Sequence, residues 1–302
     1  MKWRDFAMAR AACESLIGLV DGNDCCLIFP GKIFDGDRNL LAWVSAIRRI
    51  RAVMKLEHLP YEVRSVIVKK TSLVTPHMKR LTIDSRMLSV KAGVPAQWLK
   101  IFVPVVPVAG GATYSHSGRA ITVRNIDEEK QELHLDIFLH GATGPVSSWA
   151  ETVKSGDEIY ISDVHPRSGY PILDADNDYL LVGDETAMPA IASIAESLPR
   201  HAHARIIIRI SSAEEKSYLR LSRNASVQWL CGASSEIPST SSLESMLTSM
   251  PLPPDVKVWA AGESHEVQGI RRVLKARGLE QSQIHAAGYW KQGEADHRDI
   301  DA

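Results

Sequence analysis

The stretch that most constrains this chain runs from Tyr179 to Ile194, Tyr-Leu-Leu-Val-Gly-Asp-Glu-Thr-Ala-Met-Pro-Ala-Ile-Ala-Ser-Ile, and it changes character halfway along. Its first four residues are a short apolar run of the kind that makes a buried strand. Gly183 permits a tight turn, Thr186 can cap a helix, and Pro189 is tolerated in a first turn whose amides lack intrahelical partners anyway. The segment therefore predicts a strand, a sharp turn and a helix N-terminus. Free N–H groups and the positive end of a helix dipole favour phosphates at such a place. An ordinary strand-to-helix connection has the same local pattern, so its neighbours must decide.

Those neighbours continue the alternation. After about Ser162 the strand candidates are Tyr179–Val182, Arg205–Ile210, Val227–Cys231, Val256–Ala261 and Ile284–Tyr289. Helical segments follow the first, the third (from Thr240) and the fourth (Ser264 to Arg277), which implies a parallel sheet with crossovers. From Tyr61 the texture differs: Tyr61–Val68, Met78–Asp84, Gln97–Val106, Ala120–Asn125 and Glu132–Phe138 succeed one another with turns between. Regularly spaced strands without long helices argue an antiparallel barrel or sandwich, and the Gly/Ser-rich Ala109–Gly118 reads as a connection within it. Residues 1–58 read as a mostly helical extension, with Phe6, Ala9, Cys13, Leu16 and Ile17 at helical spacing and a second run through Leu41, Val44, Ile47 and Met54. The expected division is an extension over 1–58, a barrel over 59–170, and an α/β domain with a C-terminal tail over 171–302.

Composition narrows the function. A chain of 302 residues that is 45% hydrophobic can bury two cores, and a net charge of -1 with no long basic block argues against a nucleic-acid partner. Cys13, Cys25, Cys26 and Cys231 form no C-x-x-C pair and have no metal-ligand spacing with histidine, so reduced, mostly buried thiols are expected. No apolar run approaches membrane-spanning length, and Asp5 and Glu14 interrupt the region where a signal peptide needs continuous apolar residues. No membrane span and a cytoplasmic location are the expectations.

Candidate site residues appear in two further places. Arg119 and Thr122 stand close together at a strand start, where a guanidinium can grip phosphate oxygens and a hydroxyl can add a donor, although a surface strand pair looks the same. The run from Leu139 to Ala150 passes from a strand through a Gly-rich loop into a short helix, with Ser147 and Ser148 at its start. Amides and hydroxyls there make an anion-binding concavity, and Gly144 allows close backbone approach. Ser147 can equally be a simple cap, and His140 a satisfied strand-end histidine.

Taken together, these pieces carry a resemblance. Thr75-Pro76-His77-Met78-Lys79-Arg80, Lys100, Arg119-x-x-Thr122, Asp136-x-x-x-His140-Gly141, Gly144-Pro145-x-Ser147-Ser148-Trp149-Ala150, Gly183 to Ile191, Ala261-Gly262-Glu263 and Gly288-Tyr289-Trp290-Lys291-x-Gly293 occur in that order. From Tyr61 to Gly293 the chain resembles the siderophore-interacting protein, or ferric-siderophore reductase, family of the ferredoxin-reductase-like flavoproteins. The resemblance implies an antiparallel Greek-key FAD-binding barrel followed by a parallel-sheet α/β nucleotide-binding domain. Carried over residue by residue, it implies FAD contacts at Arg119, Ile121 and Thr122, at Asp136, His140 and Gly141, and at Ser147, Ser148 and Trp149. It implies that Gly183, Asp184, Glu185, Thr186 and Ala187, with Gly262, Glu263 and Trp290, border NADH or NADPH. Ile121 departs from the family's usual Arg-x-Tyr-Thr, so an aliphatic side chain stands where a tyrosine ring lies against the flavin.

The chemistry so implied is electron transfer from NAD(P)H through FAD to ferric iron in a siderophore complex. A ferredoxin as the electron donor, or a non-catalytic flavin- or siderophore-binding module, are the alternatives. Lys216, Arg220 and Arg223 can meet the 2′-phosphate of NADPH or belong to a solvated basic helix. Ferric siderophores are commonly anionic, which makes Lys291 the candidate for binding the chelate. Trp290 can cover the flavin or fill an interdomain seam.

Overall fold

The computed structural model describes residues 62–86, 88, 90, 93–105, 113–114, 118–141, 144–220, 223–232 and 243–294. The expected helical extension over 1–58, Cys13, Cys25 and Cys26, most of the Ala109–Gly118 insert, and the tail beyond residue 294 lie outside the described residues, while Cys231, expected to be buried, is exposed at the end of a strand on the sheet's edge.

The first half of the described chain builds β1 (Val63–Thr75), β2 (Met78–Asp84), β3 (Trp98–Phe102), β4 (Pro104–Val105), β5 (Thr113–Tyr114), β6 (Arg119–Asp127), β7 (Glu132–Phe138), α1 (Pro145–Thr152) and β8 (Glu158–Ser162). Six of these strands close an antiparallel barrel in the order β1-β2-β7-β6-β3-β8, while β4 and β5 pair separately. Period two decides which side chains fill it: along β7, Leu133, Leu135 and Ile137 join the barrel core, and the residues between them face outward. Trp149, Ala150 and Val153 from α1 and its end complete that core. Strand β8 is the element that the sequence pattern did not single out. It is five residues long and is separated from the other barrel strands by α1, so no alternating neighbour announces it.

The second half builds β9 (Asp178–Gly183), a 3-10 turn (Glu185–Ala187), α2 (Met188–Ser197), β10 (His203–Ile210), a second 3-10 turn (Ala213–Tyr218), β11 (Ala225–Cys231), α3 (Leu243–Ser249), β12 (Lys257–Glu263), α4 (Ser264–Ala276) and β13 (Ile284–Trp290). All pairs are parallel, in the order β11-β10-β9-β12-β13. The chain moves outward from β9 to β11, then returns to add β12 and β13 on the other side. Connections therefore leave in opposite directions between β9 and β12, which opens a crevice at the strands' carboxyl ends. Helix α2 buries Met188, Pro189, Ala190, Ile191, Ala192 and Ile194, more than one face, because it packs on β9 and also on β6 of the barrel. Met78 and Ala96 of the barrel half join the same apolar cluster as α2 and one face of the sheet, and α3 and α4 cover the other face.

Two local expectations are corrected. Thr186 caps no helix: Asp184 caps the 3-10 turn by accepting from the Thr186 backbone N–H, and α2 follows that turn with Ala187 at its N-cap position, without a side-chain cap. Gly183 is not in the left-handed region. It is needed because a Cβ there would stand 2.6 Å from both the Ala187 Cβ and the Ala261 carbonyl oxygen.

Candidate functional site

Asp184 organises the sheet side of the site. Its Oδ1 accepts from the Thr186 N–H (2.9 Å) and the Thr186 hydroxyl (2.6 Å), and its Oδ2 accepts from the Glu263 N–H (3.1 Å) and the Trp290 indole N–H (2.8 Å). One buried carboxylate thus ties together the ends of β9, β12 and β13. Gly262, with φ of 150°, is required by the same brace, since a Cβ there would stand 2.7 Å from Asp184 Oδ2. Glu263 caps α4 by accepting from the N–H groups of His265 (2.7 Å) and Glu266 (3.0 Å), and it also accepts from the Gln292 N–H (3.3 Å). Burial pushes the Glu263 carboxyl up, but these N–H donors outweigh it and hold the group below its ordinary value. Glu185 accepts from the Ser211 N–H and so joins the end of β9 to the end of β10. The expected nucleotide-side residues Gly183, Asp184, Glu185, Thr186, Ala187, Gly262, Glu263 and Trp290 are all at the carboxyl edge, where the acidic members brace the crevice.

On the barrel side, Arg119 opens β6 and donates from Nη2 to the Tyr289 carbonyl oxygen (3.2 Å). Thr122 is buried and hydrogen-bonds the Tyr289 phenol, which burial above all pushes up to about 12. Tyr289, two residues from Lys291 and beside Trp290, therefore joins the barrel pair to the last strand of the sheet. In the sequence it is marked by the motif Gly288-Tyr289-Trp290-Lys291-x-Gly293, which gives no sign of this link. Ile121 stands opposite Leu99 and packs against the barrel core. His140 follows β7, with its ring 6.4 Å from that of Phe138, and burial together with the Arg119 charge holds its pKa below the ordinary value. The loop beyond turns at Gly141, with φ of 80°, and the Ser147 hydroxyl donates to the Gly141 carbonyl at 2.6 Å. Helix α1 opens on Gly144 with Pro145 in its first turn and no side-chain cap, and Ser148 is half-buried behind it.

Two expected FAD contacts have other surroundings. Trp149 is a core residue of the barrel, 9% exposed. Asp136 lies on the outer face of β7, where the Arg80 guanidinium grips it through two 2.7 Å bonds and the Tyr218 hydroxyl donates to it at 2.5 Å. Lys291 is partly exposed and pairs with Glu294 at 2.7 Å, which raises its pKa. The three basic residues considered for a 2′-phosphate separate. Lys216 and Arg220 follow the carboxyl end of β10, with Arg220 in a cavity of about 370 Å³ beside Arg80 and Arg124. Arg223 precedes β11 and lines a groove of about 700 Å³ at the amino ends of the strands, the edge opposite Asp184.

A barrel followed by a parallel sheet, joined across the carboxyl edge, is the ferredoxin-reductase-like fold. The fold matches ferredoxin NADP+ reductase from Neisseria gonorrhoeae with a TM-score of 0.52, over 76% of this chain and 99% of that one, at 15% identity, a likeness of fold alone. The chain belongs to the siderophore-interacting protein family: residues 67–168 match the siderophore-interacting FAD-binding domain, and residues 176–293 match the siderophore-interacting protein model. The siderophore-interacting protein SipS from Aeromonas hydrophila is 31% identical with a TM-score of 0.64, covering 78% of this chain and 94% of that one. The ferric vibriobactin reductase ViuB from Vibrio cholerae is 26% identical over 179 residues, 58% of this chain and 65% of that protein. The chain spans just under two thirds of the length of the curated relatives it matches, 66% of one and 65% of another. No helix among the described residues is long and apolar enough to cross a membrane.

Proposed function

We propose that the chain is a cytoplasmic flavin-dependent reductase that passes electrons from NADH or NADPH, through FAD, to ferric iron in a siderophore complex and releases ferrous iron. The observation that carries this reading is the seam at which Arg119, Thr122 and Tyr289 meet. His140 lies within the field of Arg119 and near α1, whose N-terminus has no side-chain cap, and the first-turn N–H groups of such a helix suit a phosphate. The donor set therefore fits the pyrophosphate of a flavin dinucleotide.

Arg119, Thr122, His140, Gly141, Ser147 and Ser148 would hold FAD, with Ile121 at the edge of that surface. Bound FAD supplies the exchange between two-electron and one-electron chemistry. The remaining work falls to the chain itself. Asp184 and Glu263 keep the carboxyl ends of β9, β12 and β13 in one rigid edge on which a nicotinamide nucleotide can be oriented. Trp290, pinned through its indole N–H, limits water at that edge. The neutral His140 imidazole leaves Arg119 as the charge that faces a phosphate. Lys291 adds a cation near the end of β13 for an anionic chelate.

The test is reconstitution with FAD followed by anaerobic addition of NADH, NADPH or reduced ferredoxin, and then of a ferric chelate. Bleaching of the flavin by a nicotinamide nucleotide and its reoxidation by the chelate is the expected result. Bleaching by ferredoxin alone moves the donor assignment. Failure to take up FAD leaves the binding-module reading in its place.

A further inference from the structure

Where β1, β2 and β6 of the barrel meet the 3-10 turn Ala213–Tyr218 and the end of α2, a cavity of about 370 Å³ gathers three guanidinium groups and one carboxylate. They belong to Arg80 of β2, Arg124 of β6, Arg220 beyond the turn, and Glu196 of α2. The volume is that of a small-molecule pocket. The cavity lies away from the residues expected to hold FAD, since Arg124 is five positions beyond Arg119 on β6, roughly 16 Å along an extended strand.

The three arginines are engaged to different degrees. Arg80 donates from Nε and Nη2 to Asp136, which also accepts from the Tyr218 hydroxyl. Arg124 is only 11% exposed, and its terminal nitrogens donate to Glu196 at 2.8 and 2.5 Å. Its Nε–H is buried without an acceptor among the described residues. Arg220 is exposed and has no carboxylate partner among the described residues. Asn125, next along β6, has its Oδ1 taken by the Ile126 N–H at 2.7 Å, so the group it can offer the cavity is its NH2. The lining is thus rich in donors and holds one carboxylate to answer them.

That carboxylate is weakly anchored. Glu196 stands in the last turn of α2, where the negative end of the helix dipole disfavours an acid, and its side chain is 45% exposed. Rotation of Glu196 into solvent frees the fork of a nearly buried guanidinium for another anion. We propose that this cavity is a binding site for a phosphate group, as inorganic phosphate or a small phosphate monoester, in which Arg124 exchanges Glu196 for the ligand and Arg220 meets it from the exposed side. Guanidinium forks match phosphate oxygens two at a time, and here they come from β2, β6 and the segment after the 3-10 turn, so a bound phosphate ties the sheet half to the barrel half. The site is independent of the electron-transfer reading.

The FAD-loaded protein is titrated with inorganic phosphate and with glycerol phosphate at constant ionic strength, and binding is followed by phosphorus NMR. Saturable binding to the wild type is expected, and the tighter of the two probes tells the free ion from the monoester. Arg220→Met should weaken binding about tenfold, the loss of one charge-assisted contact. Glu196→Gln should strengthen it about threefold, because the competing carboxylate is gone. Lys275→Met, which removes an exposed cation from α4, should leave it within about twofold. Phosphate should also raise the thermal midpoint of the wild type more than that of Arg220→Met. No saturable binding, or equal weakening by Lys275→Met, would overturn the site, and weaker binding in a folded Glu196→Gln would overturn the exchange at Arg124. Displacement of phosphate by NADPH but not by NADH would assign the cavity to the coenzyme's own 2′-phosphate and overturn a separate site.

Discussion

Asp184 accepts four hydrogen bonds, two from Thr186 in its own turn and two from the ends of β12 and β13, so a residue next to the nucleotide edge is spent on holding that edge together. Arg119 has a different position at the seam, where it donates to the Tyr289 carbonyl and its charge acts on His140. Replacing it with alanine should weaken FAD about tenfold or more, the loss of one charge-assisted contact of roughly 1.5–3 kcal/mol. Titration of FAD into the wild-type and variant apoproteins measures this, and an unchanged dissociation constant would remove Arg119 from the site. Glu266, in the first turn of α4, makes a pH prediction. Burial first, then Asp184 and Glu263, push its carboxyl from 4.5 up to about 7 against the attraction of Arg209 2.6 Å away. Between those values the folded protein holds a proton that the unfolded chain has released, so the stability contributed by this group falls as pH rises through the window. Glu266→Gln should flatten the fall, by at most roughly 3 kcal/mol across the window. Thermal unfolding of both proteins at the two ends of the window decides it, and parallel pH profiles would rule out Glu266 as the source.

The 3-10 turn Ala213–Tyr218 straps the sheet half to the barrel half at two points. Glu215, fully buried, accepts from the Thr75 hydroxyl, from the His77 N–H at 3.2 Å and from His77 Nδ1 at 3.0 Å. Tyr218 donates to Asp136, which Arg80 also grips, and burial above all pushes its phenol well above the ordinary value. Asp136 is thus the acceptor on which both a guanidinium and a buried hydroxyl depend. Asp136→Ala should cost on the order of 3 kcal/mol, because it leaves Arg80 and Tyr218 without their partner. Adding Arg80→Met to Asp136→Leu should recover much of that loss, since an apolar pair of similar volume avoids burying an unpaired charge. Urea unfolding of the single and double variants reads the difference, and a double variant as unstable as Asp136→Ala would show that the strap is not the cause.

At the scale of the whole molecule, the two halves share an apolar cluster in which barrel residues Met78 and Ala96 pack with Ala187, Met188 and Ile191. They should unfold together. Met78→Ala, at a fully buried position, should cost roughly 2–5 kcal/mol. It should shift the tryptophan fluorescence and far-ultraviolet circular dichroism transitions by the same amount, and two separated transitions in the wild type would show that the halves are independent. The order of this architecture was legible in the sequence, because period-two strands and strand–helix alternation are local patterns that each segment carries by itself. So was the choice of Gly183, Asp184, Gly262 and Glu263 as one edge, since each ends a recognisable strand. Other features were settled only by tertiary structure. Ile121 faces Leu99 because of barrel register, Trp149 fills the barrel because α1 lies across it, and Arg223 falls on the far edge because β11 runs parallel to β10. The brace from Asp184 to Trp290 joins residues 106 positions apart, the link from Asp136 to Tyr218 spans 82, and that from Thr75 to Glu215 spans 140. Hydrogen bonds of that reach leave no periodicity in the chain, because the partner of each polar group is chosen by the folding of segments that are not its neighbours.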